Sequence, residues 1–158
     1  MEPDRRPWYG DRAARSLILR RYLPWFAALS LVWEIVQLPL YTIWSEASAG
    51  HVAYAVAHCT AGDALIGLVA LAVALLTTRA DAIQTWNWRA IGLVLVVLGV
   101  AYTGFSEWTN TVLRPAWAYS QLMPTLKLAG IELGLSPLLQ WVFIPPFALY
   151  LARMTCRR

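Results

Sequence analysis

Four of the nine acidic side chains in this sequence, Glu34, Asp63, Glu107 and Glu132, fall inside or at the edge of long apolar runs, with no Lys or Arg at comparable depth. An ionised carboxylate near the centre of a membrane helix is costly, so each of the four needs a partner, a proton or a purpose. Lys127 comes closest, five residues before Glu132, where its stem can carry the ammonium outward. Ion pairing cannot neutralise the set. Acids in a dry pocket suit general acid work, a neighbouring ionised carboxylate can stabilise a developing cation, and His58 can shuttle the proton. Glu34, His58, Asp63, Glu107 and Glu132 are therefore the candidate catalytic residues. Trp33 and Trp141 offer indole faces to a cationic or planar intermediate. With Gln37, Tyr41, Asn110, Ser136 and Gln140 they make up the candidate substrate-binding set.

The spacing of these residues matches helical faces. Glu34, Gln37 and Tyr41 follow i, i+3, i+7; Thr103, Glu107 and Asn110 follow i, i+4, i+7; Glu132, Ser136 and Gln140 follow i, i+4, i+8. His51, Tyr54 and His58 also align, whereas His58 and Asp63 point about 140° apart and form no direct dyad. Counted from the expected outer helix ends at about 1.5 Å per residue, Glu34 lies about 15 Å deep, His58 about 10 Å, Asp63 about 18 Å and Glu132 about 12 Å. Polar groups thus crowd one leaflet, while the other half is Leu, Val, Ala and Ile. A single cavity opening toward the periplasm accounts for that asymmetry.

Four helices must position these side chains. The 158 residues are 59% hydrophobic and only 14% charged, against about 25% charged in ordinary soluble domains. That excludes disorder, collagen, a disulfide scaffold and a nucleic-acid partner. The expected spans are about 22–44, 52–78, 90–110 and 126–152, the last containing the apolar run Leu128 to Ala152. Each is long enough to cross about 30 Å of hydrocarbon, and helices satisfy the backbone there. The fold class expected is an all-α integral membrane protein, with four transmembrane helices in a compact bundle, N-in/C-in. A basic tail over 1–21 precedes the domain at 22–153, and a short tail over 154–158 follows it. A signal peptide is the competing reading of the first span, given Arg20-Arg21 before it and Ala47-Ser48-Ala49 after it. Glu34, Gln37 and Pro39 make that span too polar and too long for one, so it is retained.

Orientation follows the basic residues. Arg5, Arg6, Arg12, Arg15, Arg20, Arg21, Arg79, Arg89, Arg153, Arg157 and Arg158 share one side, and only Arg114 and Lys127 fall on the other. Both termini are expected in the cytoplasm, and the location expected is a bacterial inner (plasma) membrane. Trp25, Trp44, Trp86, Trp88, Trp108 and Trp117 fall at the expected interfaces. The Arg5 to Arg21 stretch reads first as a topology signal and second as an anionic-lipid contact.

The connection Thr111 to Pro124 reads as a strand-free loop or short surface helix, either a plain connector or a lid. Pro39 and Pro137 each free a carbonyl beside an acid, those of Ile35 and Leu133. Gly130 and Gly134 form a G-x-x-x-G, and Ala53, Ala57 and Ala61 a small-residue ridge, both suited to close helix approach. Cys59 and Cys156 make no redox pair, His51 and His58 have no diagnostic ligand spacing, and neither a metal nor any other cofactor is expected.

Three functions fit these features. The first is an intramembrane acid–base enzyme that isomerises, cyclises or hydrates a lipid-soluble molecule such as an isoprenoid. The second is a proton- or cation-coupled carrier, for which four short spans would form a homo-oligomer. The third is a structural subunit whose polar groups hydrogen-bond its helices together. Membrane lipid and a hydrophobic small molecule are the expected partners. In size, helix count and intramembrane acids the arrangement resembles the emopamil-binding-protein domain, a small membrane fold that includes sterol isomerases. The likeness covers no aligned motif and assigns no residue.

Overall fold

The computed structural model describes residues 7–128 and 130–154, so expectations resting on Arg5, Arg6, Cys156, Arg157 and Arg158 lie outside the described residues. The protein is mostly helical (76%). Four helices are long and apolar enough to cross a membrane: α1 (Arg12–Leu40), α2 (Ala49–Thr77), α3 (Trp88–Leu113) and α4 (Leu135–Met154). Each packs against two of the others, α1 on α2 and α4, α3 on α2 and α4.

Local chemistry sets the helix ends. α1 starts at Arg12, not Tyr22, because Asp11 caps it: Ala13 N donates to Oδ1 at 2.9 Å. Residues 12–21 are therefore helical and continuous with the first span. α1 ends in a 3-10 turn, Leu38–Leu40, around Pro39, four residues short of Trp44. Ser48 and Asn87 cap α2 and α3, accepting from His51 N at 3.3 Å and Ala90 N at 3.2 Å. The last turn of α3, Thr109–Leu113, is a π-helix.

The fourth span departs from expectation, and with it the all-α class. Residues expected to begin it form a hairpin of β1 (Thr125–Leu128) and β2 (Ile131–Gly134), with Lys127 opposite Glu132. Gly130 turns the chain at φ +81°, a conformation open to glycine. The helix begins only at Leu135. Pro137 then lies in its first turn, where no N–H is needed, and frees no carbonyl of Leu133. Pro145 and Pro146, deeper in α4, do interrupt its backbone ladder.

One end of the molecule gathers the basic residues. Asp11 Oδ2 accepts from Ile83 N at 3.0 Å, which ties the start of α1 to the link between α2 and α3. The Arg153 guanidinium lies 5.0 Å over the Trp88 ring, which brings the end of α4 there too. Trp86, expected at an interface, is buried and donates to the Asp81 carbonyl at 3.1 Å. Above this end sits the apolar core, including Leu17, Tyr22, Leu71, Leu75, Ile91, Leu95 and Ala148. In lipid such a core is held by van der Waals packing between closely approaching helices, since tails are as apolar as Leu.

An aromatic layer ends that core. Phe26 and Trp141 pack with ring centroids 5.6 Å apart. Both rings need glycine opposite them: a Cβ at Gly67 would stand 2.8 Å from the Phe26 ring, and one at Gly99 would stand 2.0 Å from Trp141.

Candidate functional site

Beyond the aromatic layer the helices part around a cavity of about 370 Å³. Its polar groups form two clusters. In the first, Gln37 Nε2 donates to Glu34 Oε1 at 2.9 Å. The other end of the same amide, Gln37 Oε1, accepts from Ser136 Oγ at 2.9 Å. On the far side Gln140 Nε2 donates to Asp63 Oδ2 at 2.6 Å. Glu34 and Asp63 lie within hydrogen-bonding reach of one another. A chain Ser136, Gln37, Glu34, Asp63, Gln140 thus links α4 to α1, α1 to α2 and α2 back to α4. Its supports are neutral amides and a hydroxyl, and among the described residues no Lys or Arg lines the cavity.

The second cluster centres on Glu107 of α3, a buried carboxyl. Tyr119 OH donates to Glu107 Oε2 and accepts from Gly134 N at 2.9 Å. The Trp117 indole N–H is buried beside the same carboxyl. Burial, then the hydrogen bond to Glu107, holds the Tyr119 phenol above its usual pKa, and burial followed by the charge of Glu107 does the same for Tyr41. Both phenols therefore stay protonated donors at neutral pH.

The segment after α3 covers this end. Thr42 N donates to Ala118 O at 3.0 Å and Ser120 N to Leu40 O at 2.9 Å. Ser120 Oγ adds a bond to Pro39 O at 2.8 Å, and Tyr41 and Tyr119 form an isolated antiparallel bridge.

Of the residues chosen from sequence, Glu34, Gln37, Tyr41, His58, Asp63, Glu107, Asn110, Gln140 and Trp141 line the cavity. Ser136 stands behind Gln37. Asn110 turns its amide to Ser106 O at 2.8 Å. His58 is exposed at the rim, its ring stacked on Tyr54 with centroids 5.7 Å apart. Trp33 packs against the apolar core and is absent from the lining.

Glu132 is a correction. It lies on β2, exposed, accepting from Thr125 Oγ1, and is absent from the cavity lining. The stripe Glu132, Ser136, Gln140 required a helix that starts only at Leu135. Gly134, expected at a helix contact, instead meets the Tyr119 ring, which a Cβ would approach to 3.1 Å.

Sequence reasoning missed Tyr119 as a partner of Glu107, because the two lie on different elements with no periodic relation. Cys59, Tyr102 and Ser106 also line the cavity. Cys59 adjoins His58 and falls on no polar stripe, whereas Ser106 shares the i, i+3, i+7 face of Thr103 and Asn110 and could have been found there. Among the described residues no group of three His, Cys, Asp or Glu is placed to hold a metal ion. The chain matches no known protein family, and neither the curated proteins nor the solved structures include one similar to it beyond chance.

Proposed function

We propose that this multi-pass membrane protein is an acid–base enzyme acting on a lipid-soluble molecule, with Glu34 and Asp63 as the proton-transferring pair. The observation that carries this reading is two carboxyls from neighbouring helices within hydrogen-bonding reach, held by neutral amides, in a cavity that no described Lys or Arg lines. Two carboxylates that close cannot both ionise in a dry site, so one keeps a proton to give. In an isomerisation that proton adds to one carbon of a substrate double bond, the cation forms at the other carbon, and a carboxylate removes a proton from the carbon next beyond it, so that the double bond moves by one position. Glu107, already a hydrogen-bond acceptor from Tyr119, supplies negative charge to the cationic intermediate, and Trp141 an aromatic face.

The carrier reading requires a path to the basic end. Phe26 and Trp141 stand across it with the apolar core behind them, which favours a one-sided site. The basic end faces the cytoplasm and the cavity end the periplasm of a bacterial inner membrane. Described Arg residues at 12, 15, 20, 21, 79, 89 and 153 against Arg114 and Lys127 support that orientation. Reporter fusions after Met154 and beside Trp117 check it, with cytoplasmic activity expected at the first alone.

Glu34→Gln and Asp63→Asn keep shape and hydrogen bonding while removing the exchangeable proton. Each is expected to leave the protein folded and membrane-inserted and to lower turnover by about 10²–10⁴-fold. The readout is the change in host lipid composition on expression. Full activity in both variants would make the acids helix glue and end the enzymatic and proton-coupled readings together.

A further inference from the structure

We infer that the cavity is reached sideways, through a gap between α2 and α3 that opens into the hydrocarbon, and that its ligand is a molecule dissolved in the bilayer. This rests on reading the cavity as the functional site of a lipid-soluble molecule, and adds the route by which that molecule enters.

The other walls are shut. The segment after α3 is fastened across the end by the bonds from Thr42, Ser120 and Tyr119. Phe26 and Trp141 close the floor. Ser136 and Gln37, both buried, join α4 to α1. Trp141 seats against Gly99, and Leu133 lies 3.9 Å from where a Cβ at Gly104 would be, closing α3 against α4 and the hairpin. Leu38 and Val56 line both the cavity and an apolar groove outside α1 and α2, and so form the partition between them.

The remaining side differs. Among the described lining residues only His58 and Tyr102 are exposed, and they stand on α2 and α3. One turn beyond His58 on α2 lies Gly62, where an added Cβ would meet no atom within 4 Å. Stacking on Tyr54 holds the His58 ring beside α2. The depth of this gap decides what can use it. Gly62 is thirteen residues inside Ala49 and Tyr102 eleven inside Leu113, about 20 Å and about 17 Å along their helices. That level lies among acyl chains, where a water-soluble ion pays the full desolvation cost and an apolar molecule pays none. A cavity of about 370 Å³ is near the lower end of ligand-pocket volumes, about 300–1,000 Å³. The ligand's reactive group therefore reaches Glu34 and Asp63 first, and any longer apolar remainder stays in the gap.

The test compares two photoreactive probes on the full chain in phosphatidylcholine and phosphatidylglycerol vesicles: a diazirine-bearing long-chain alcohol dissolved in the bilayer, and a diazirine-bearing sugar in the water. Adduct mapping by mass spectrometry is expected to place the alcohol on Glu34, Asp63 or Glu107 and the sugar on none of them. Gly62→Leu and Ser106→Leu, which fill the gap from α2 and α3, are each expected to cut cavity labelling about ten-fold. Ala61→Leu, on the exposed face beside the gap, leaves it unchanged. Labelling of lipid-facing Leu65 and helical circular dichroism report folding, and the wild-type probe comparison decides the question even where a plug variant misfolds. Cavity labelling by the sugar equal to that by the alcohol overturns the proposal. So do alcohol adducts confined to the lipid-facing surface, or folded plug variants that label like wild type. Because no catalytic readout is involved, such a failure leaves the acid–base reading to the Glu34 and Asp63 substitutions.

Discussion

The basic end and the cavity end of this protein are built from the same four helices by opposite means. At the basic end Leu71, Leu75, Ile91 and Leu95 are fully buried, and small residues such as Ala70 and Ala74 let the helices close on one another. At the cavity end the buried groups include Thr103 and, joined through hydrogen bonds between elements, Gln37, Glu107, Ser136 and Gln140. Packing is nondirectional and tolerates no gap, whereas a hydrogen-bonded network holds helices apart at fixed distances and leaves room between them. Closeness at one end thus supports an opening at the other. The boundary is the layer of Phe26, Gly67, Gly99 and Trp141.

That contrast can be broken first at its boundary. Gly99→Ala drives a methyl into the Trp141 ring, where the Cβ would stand 2.0 Å away. The expected cost is about 1–3 kcal/mol of stability, read as a lowered unfolding midpoint in denaturant. Gly104→Ala, on the same helix with its nearest neighbour at 3.9 Å, is the control and should not suffer this clash. Equal losses in both would mean that helix propensity, and not the aromatic floor, is what Gly99 serves.

A smaller effect is expected from Tyr119→Phe. It removes the phenol that donates to Glu107 and accepts from Gly134 N, leaving two polar groups to find water. The expected loss is about 1–2 kcal/mol of stability. Turnover is expected to fall about ten-fold, because Glu107 loses its fixed partner. An unchanged Tyr119→Phe variant would detach the covering segment from the proposed chemistry.

Smallest of all is Glu132→Gln, with a change within about 0.5 kcal/mol and activity unaltered, since the side chain is exposed on β2. A large loss of activity there, measured beside Glu34→Gln, would return Glu132 to the site and undo the division between hairpin and cavity.

Glu34, Gln37 and Asp63 were legible because helical spacing and lipid solvation act on single residues: an acid in an apolar run is conspicuous wherever its neighbours sit. Glu132 looked equivalent by that measure. It differs because Gly130 can adopt a positive φ and β1 is there to pair with β2, and a hairpin and a helix start read alike in a short apolar run. Trp33 offers an indole, but the sequence does not say which face of α1 meets the cavity and which meets the core.

The sequence by itself determined four membrane-length apolar segments, their intramembrane acids and the basic bias of one side. Each of these follows from the transfer energy of individual side chains between water and lipid, a property that needs no partner. Only the tertiary structure decided that Tyr119 meets Glu107, that Glu34 meets Asp63 through amides from α1 and α4, and that Phe26 and Trp141 close the floor. Those contacts join residues far apart in the chain. They depend on how near the helices approach, which Gly67 and Gly99 set through the absence of a single carbon atom each.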